Sequence, residues 1–337
     1  MKEWLIGKTL REISDIAVDC SMTKFTSNQI VKWIYGKRIA GINEMSDISA
    51  KNRAILEERF VVGRLGYSDV QVSSDGTKKY LFPTLQGKYI ESAYIPDKDR
   101  ATLCVSSQAG CKMGCKFCMT ARQGFQHNLT AGEIVNQIIS IPESDKLTNV
   151  VYMGMGEPLD NLEQVIKSID IITSEWGFGW SPSRITLSTI GLNNIEEFLT
   201  RTKVHLAVSL HNPVPEERAD LMPLQRTCDI RKIIDIIKKY DFTGQRRVSF
   251  EYIMFRGIND THRHIKEITR LMSGLKCRFN LIRFHAIPEC DLEGSSYDNM
   301  LKFRDALSAK GITTTIRSSR GEDIFAACGM LSTVKKN

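Results

Sequence analysis

Cys111, Cys115 and Cys118 lie in the run GCKMGCKFCMTARQGF, spaced C-x3-C-x2-C. Three thiolates on one short loop are soft ligands suited to a metal centre. A four-iron cubane normally takes four cysteines, so three leave one iron open to a ligand from outside the chain. The competing chemistry is zinc, because Cys104, seven residues upstream, would complete a tetrahedral four-thiol site. Zinc ligands more often come as paired C-x2-C units, which favours the iron–sulfur reading. A disulfide framework suits the chain least: 337 residues with an odd nine cysteines is the usage of a reducing compartment.

Such a loop needs a rigid support, and from residue 101 onward strands and helices alternate. Strands are expected at 101–107, 149–156, 184–190, 204–211, 247–255, 278–285 and 313–318, as Val/Ile/Leu-rich runs. Helices are expected at 131–140, 161–175, 193–201, 229–240, 260–273 and 297–309. Thr130 and Glu133 form a capping box for the first, with Ile134, Val135, Ile138 and Ile139 on its buried face. A closed eight-fold barrel and an open doubly wound sheet both fit this α/β pattern.

The first hundred residues have another texture. NQIVKWIYGK and SAKNRAILEERF read as short helices with Trp33, Ile34, Ile55, Leu56 and Phe60 as core candidates. Asp75–Gly76 reads as a hairpin turn and 89–96 as a further strand. We expect a small helical accessory domain at 1–65, an antiparallel extension at 66–100 and the main α/β domain at 101–337. No window holds about 20 consecutive apolar residues, and MKEWLIGKTLREIS is too charged for a signal peptide. The expectation is a cytoplasmic protein with no membrane association. Its net charge of +7 is compatible with a polyanionic partner.

In parallel α/β folds chemistry collects at the C-terminal ends of strands. Here those ends carry the cysteine loop, then GMGEPL with Gly156 and Glu157, then Ser188. Ser209, Leu210 and His211 follow, and later Arg283 and His285. Singly, each of these is an ordinary turn residue. Their recurrence on successive strand ends beside the cysteine loop makes them candidates for one cofactor site.

The cysteine spacing resembles the cluster loop of the radical S-adenosylmethionine (SAM) enzymes. The wider set, ATLCVSSQAGCKMGCKFCMTARQGFQHNLT, VVYMGMGEPLDNL, RITLSTIG, AVSLHNP and RGEDIFAACG, resembles the RlmN-type RNA methyltransferases, in order and along essentially the whole chain. NQIVKWIYGK, SSDGT and YIPDKDRATLCVSS resemble that family's N-terminal portion. The resemblance implies a partial (βα)6 TIM-like radical SAM barrel behind a small helical N-terminal accessory domain that grips RNA. It implies one [4Fe-4S] cluster on Cys111, Cys115 and Cys118, with SAM on the open iron and two SAM per turnover. Gly156, Glu157, Ser188, Ser209, Leu210, His211 and His285 would bind SAM.

The implied reaction is methylation at C2 of adenine-2503 in 23S rRNA and of adenine-37 in tRNAs. C2 lies between two ring nitrogens and is electron-poor, so it will not attack a methyl sulfonium; a radical must add to it. In the resembled family a C-terminal cysteine, here Cys328, is methylated by one SAM. A radical from the second SAM activates that methyl group, and addition to the base joins enzyme and RNA covalently. Cys104 matches the cysteine that resolves the adduct by forming a disulfide with Cys328, and Glu91 matches the general base. The partners implied are 23S rRNA, tRNA and an electron donor such as a flavodoxin–reductase system, acting on a monomer. Lys112, Lys116, Arg122, Arg246, Arg247, Arg317 and Arg320 are candidates to meet RNA phosphates near the barrel mouth. His285 departs from the pattern, standing where many members place an asparagine. The rival within this chemistry is a Cfr-type adenine-C8 methyltransferase, which uses the same five cysteines; the rival outside it is a zinc-holding RNA-binding protein.

Overall fold

Branched side chains pack well on a pleated surface, and the Val/Ile-rich runs form strands for that reason. In the computed structural model ten of them join one sheet. The structure describes residues 2–242, 244 and 246–333. The strands are β1 (Asp69–Val72), β2 (Lys78–Pro83), β3 (Tyr89–Asp97), β4 (Arg100–Cys104), β5 (Asn149–Tyr152), β6 (Ile185–Thr189), β7 (His205–Ser209), β8 (Val248–Met254), β9 (Arg278–Arg283) and β10 (Thr313–Arg317). Each pairs with its immediate predecessor, and β10 does not meet β1, so the barrel stays open.

From β4 to β10 all neighbours are parallel. β1, β2 and β3 run antiparallel along one edge, with β3 antiparallel to β4. The crossover helices are Ala131–Ile139, Leu162–Thr173, Ile195–Arg201, Ile230–Ile237, His262–Leu271 and Tyr297–Ala309. Six βα units and a final strand make up the partial barrel, as the resemblance implied.

The parallel strands do not carry uniform apolar runs through both faces, as an all-buried sheet would. Successive side chains point to opposite faces. Phe250, Tyr252 and Met254 of β8 join the core under the helices, together with Leu187, Leu206, Val208, Phe279 and Leu281. The alternate positions, Cys104, Val151, Ser188, Ser209, Glu251, Ile253 and Ile282, line an interior cavity. One face of every strand is therefore structural and the other is free for chemistry.

Helix Ala131–Ile139 has the expected capping box: Glu133 N–H donates to Thr130 Oγ1 at 3.2 Å, and Thr130 N–H donates to Glu133 Oε2 at 2.8 Å. All nine of its residues are buried, not one face only. Ile134 and Ile138 pack into the barrel core, whereas Val135 and Ile139 pack into a second core built from residues 5–62. That second core contains Trp33, Ile34, Leu56 and Phe60, with Ile55 partly buried against it. Three α-helices supply it, Leu10–Asp19, Lys24–Val31 and Ala50–Arg59, and the second runs on into a π-helical turn. The first was missed from sequence, although Thr9 and Glu12 form a capping box ahead of buried Ile13, Ile16 and Ala17.

Candidate active site

The cysteine loop leaves β4 through a tight pinch. Gln108–Ala109 pairs antiparallel with His127–Asn128, which closes the loop at its base. Gly110 sits there at φ +74°, and a Cβ on it would lie 1.7 Å from the Gly124 carbonyl oxygen. Only glycine fits. The loop ends in the short helix Met119–Gln123, and Cys111, Cys115 and Cys118 all line the interior cavity, whose volume is about 540 Å³. Among the described residues no three Cys, His, Asp or Glu side chains converge as a single bound ion requires. Three thiols on the wall of one cavity are the donor set a cubane takes, with one iron left to an outside ligand. Burial raises all three thiols, Cys111 to about 12, so holding iron requires their protons to leave.

A residue absent from the sequence reading holds the floor of this site. Arg218, in the helix Pro215–Leu221, is 1% exposed. Its Nε donates to Leu210 O at 3.0 Å and its Nη2 to Ile190 O at 2.7 Å and Ser209 O at 2.9 Å. Nη1 donates to Gln225 Oε1 at 2.7 Å. One guanidinium thus ties the C-terminal ends of β6 and β7 together. Its charge also acts on the Cys115 thiol, favouring the thiolate.

At the end of β5, Gly156 takes φ +99°, and a Cβ would lie 2.6 Å from that of Gln108. Glu157 is buried, its Oε1 accepting from Leu159 N–H at 3.0 Å and its Oε2 from Ile190 N–H at 2.9 Å. Burial pushes it up to about 7, against hydrogen bonds from Ile190, Thr189 and Leu159. Ser188, Ser209 and His211 line the cavity with it. His211 stands at φ +53°, its ring edge-on to Phe117 of the cysteine loop at 4.9 Å. Its Nδ1 accepts from Ile253 N–H at 3.0 Å, and burial pushes its pKa down to about 3. Leu210 differs: it does not line the cavity but packs into the helix-side core, offering only its main chain to Arg218. His285 reaches the cavity, and its Nε2 lies 3.0 Å from Ser319 Oγ. Its Nδ1 stands 3.1 Å from Glu322 Oε1, out of hydrogen-bond alignment.

Cys104 and Cys328 face this same cavity from opposite parts of the chain. Cys104 is buried with Ala93 and Ala326, and burial followed by the neighbouring Cys328 raises its thiol to about 12, while Arg317 acts to lower it. All nine cysteines are free, Cys104 and Cys328 among them. Glu91 lies behind the cavity wall. Its carboxylate pairs with Lys79 Nζ at 3.0 Å and accepts from Ser332 N–H at 2.9 Å; burial raises its pKa and Lys79 lowers it.

The basic residues divide. Arg317 and Arg320 line the cavity. Lys112 pairs with Asp160 at 2.7 Å, and Arg122 donates to the main chain at Pro288 and Glu289. Arg246 and Arg247 do not lie at the mouth. They precede β8, at the N-terminal rim, and Arg246 donates to Val204 O and Leu199 O there. The strand expected at 247–255 already set them at its N-terminal start, away from the C-terminal ends where chemistry collects.

Residues 105–271 match the model of the radical SAM superfamily, and residues 5–62 match that of the ribosomal RNA large subunit methyltransferase N-terminal domain. A Phocaeicola vulgatus protein, named as a probable dual-specificity RNA methyltransferase RlmN, is 55% identical over 99% of this chain and 96% of its own length. The chain belongs to the RlmN family. A second RlmN-family relative, the dual-specificity RNA methyltransferase RlmN of Syntrophus aciditrophicus, is 40% identical over 96% of this chain and 94% of its own. A solved radical SAM methyltransferase from Sphaerobacter thermophilus superposes with TM-score 0.91 at 37% identity, covering 98% of this chain and 99% of that one. RlmN membership makes the chain a radical SAM RNA methyltransferase, with RNA as substrate and an iron–sulfur cluster and SAM as the family's cofactors, and it selects this reading over the Cfr-type one. No helix among the described residues is long and apolar enough to cross a membrane.

Proposed function

We propose that this chain methylates C2 of adenine-2503 in 23S rRNA and C2 of adenine-37 in tRNAs, through S-methylated Cys328 and a covalent RNA adduct. The observation that carries this is the meeting of five cysteines, Cys104, Cys111, Cys115, Cys118 and Cys328, on one cavity. Three of them would ligate the cluster, and the other two are what a carrier and a resolving thiol need to be. When bound, the cluster and SAM supply a carbon-centred radical, with the electron coming from an outside donor of the flavodoxin type.

The chain's own residues set the rest. Glu157, Ser188, Ser209 and His211 line the wall beside the cysteine loop and would orient SAM. Cys328 bears the methyl group and bonds through it to the adenine, which must leave its stack to enter the cavity. Glu91, the base the resemblance implies, would take the C2 proton after leaving Lys79 and the Ser332 N–H for the cavity. The unpaired electron that addition leaves on the base would pass back to the cluster. The Cys104 thiolate then attacks the Cys328 sulfur, the S–S bond forming as the S–CH2 bond breaks with its electron pair to the methylene carbon, which takes a proton to become the methyl group; bridged Cα atoms must come within about 7 Å, which their shared cavity favours. The Arg317 guanidinium beside both thiols favours the attacking thiolate.

The test is mass spectrometry of nucleosides from 23S rRNA and tRNA of a host lacking its own enzyme and expressing this chain. 2-Methyladenosine in both pools is expected. Cys328→Ala should abolish it, and Cys104→Ala should trap RNA on the protein through Cys328. 8-Methyladenosine would overturn the C2 assignment, and free, fully methylated RNA from Cys104→Ala would overturn the resolving role.

A further inference from the structure

The loop that bears Cys328 has little structure of its own. Between Ser318 and Leu331 its main chain is closed by turns, with Phe325 N–H donating to Glu322 O, Ala326 N–H to Gly321 O and Met330 N–H to Ala327 O. Phe325, Gly321 and Gly329 all take positive φ. Two anchors outside the loop hold it against the rest of the fold.

The rear anchor is the cluster loop itself. Met119 N–H donates to Gly329 O at 2.8 Å, and Thr120 Oγ1 donates to Leu331 O at 2.7 Å. The front anchor is the turn Ser73–Thr77 between β1 and β2, the SSDGT stretch, which the reaction above does not use. Asp75 Oδ1 accepts from Thr77 N–H and its Oδ2 from Gly321 N–H, both at 2.9 Å. Asp323 answers from the other side: Ser73 Oγ donates to its Oδ1 at 2.6 Å and Ser74 N–H to its Oδ2 at 3.1 Å. Each segment thus contributes one carboxylate that accepts from the other segment. The fit is close as well, since a Cβ on Gly321 would lie 2.8 Å from both Ala326 Cβ and Thr77 Cγ2.

We propose that the turn Ser73–Thr77 is a dock for the carrier loop, and that Asp75 and Asp323 are positioning residues keeping Cys328 over the cavity beside Cys104. The functional meaning of the dock rests on Cys328 being the methyl carrier; the dock itself does not. Carboxylates suit the task because each accepts two bonds at once and the charge strengthens both. An asparagine offers one acceptor oxygen and turns an N–H toward an N–H. The antiparallel extension thereby gains a purpose in the chemistry, as the fixed edge against which the carrier loop is set.

The experiment is hydrogen–deuterium exchange on the full chain with its cluster, for wild type, Asp75→Asn and Asp323→Asn. Exchange in peptides covering 318–331 should rise about tenfold in either variant, the size of one lost charge-assisted bond. Peptides from β4 to β9 and the iron content should stay at wild-type values. With RNA and SAM supplied, 2-methyladenosine release should slow and the RNA adduct should accumulate. Loop exchange within twofold of wild type in both variants would overturn the dock. A freed loop with unchanged product release and no added adduct would overturn the positioning role. Failure of the carrier assignment is distinguishable, because it shows as methylation surviving Cys328→Ala whatever the exchange rates.

Discussion

Arg218→Met is the substitution that most directly tests how the site is built. The guanidinium makes four hydrogen bonds, three of them to main-chain oxygens at the ends of β6 and β7. At about 1.5 kcal/mol for each charge-assisted bond, they contribute roughly 6 kcal/mol. Burial works against this: it lowers the arginine pKa from its ordinary 12.5 to about 10, a cost of about 3 kcal/mol for keeping the charge inside. The variant should therefore lose about 3 kcal/mol, because methionine fills the space but leaves the carbonyls without donors. Urea unfolding of the cluster-free protein, followed by far-ultraviolet circular dichroism, would measure this. Arg218→Lys should recover only part of the loss, since an ammonium on a flexible stem cannot reproduce the planar fork. Iron per chain should fall in both, because Ser209 and Cys115 lose a shared support. If Arg218→Met costs less than about 1 kcal/mol, the clamp is not what joins these strand ends.

Two further changes probe titrating groups. His211 stays neutral in the fold down to about pH 3, while in the unfolded chain it gains a proton below about 6.5. Its native pKa is depressed, so stability should fall as pH drops between those values, by up to about 1.4 kcal/mol per pH unit more than in His211→Asn; parallel urea midpoints for the two proteins from pH 6.5 to 4.5 would refute this. Lys79→Met removes the cation that lowers the Glu91 pKa, so that pKa should rise further. The acid limb of the pH–rate profile for 2-methyladenosine formation should move to higher pH, and an unmoved limb would separate Glu91 from the proton transfer.

The strands and crossover helices of the barrel were legible because each is a long, strongly patterned run. Which side chains face inward was legible at Ser188 but not elsewhere, since Val151, Glu251 and Ile253 gain their meaning only from the pleat and the register. Leu210 shows the same limit: beside Ser209 in sequence, it points to the opposite face. Arg218 was hidden for another reason. Within PEERADL an arginine reads as one more solvated charge, and Pro215 with Glu216 and Glu217 marks a helix start without saying what the helix covers. The carrier-loop dock spans about 250 residues, and no local pattern joins Asp75 to Asp323. The meeting of the five cysteines likewise depended on the family resemblance, because Cys328 alone reads as a small buried hydrophobe.

The strict strand order has a consequence for how the molecule is made. Every strand of the main sheet pairs with the one synthesised just before it, so the sheet can grow in step with the ribosome that produces it, each new edge ready when its partner emerges. Cys328 is delivered after every one of those strands, into a chamber whose walls and facing turn are already standing. A nascent chain therefore has a nearly complete barrel before it has a reactive arm.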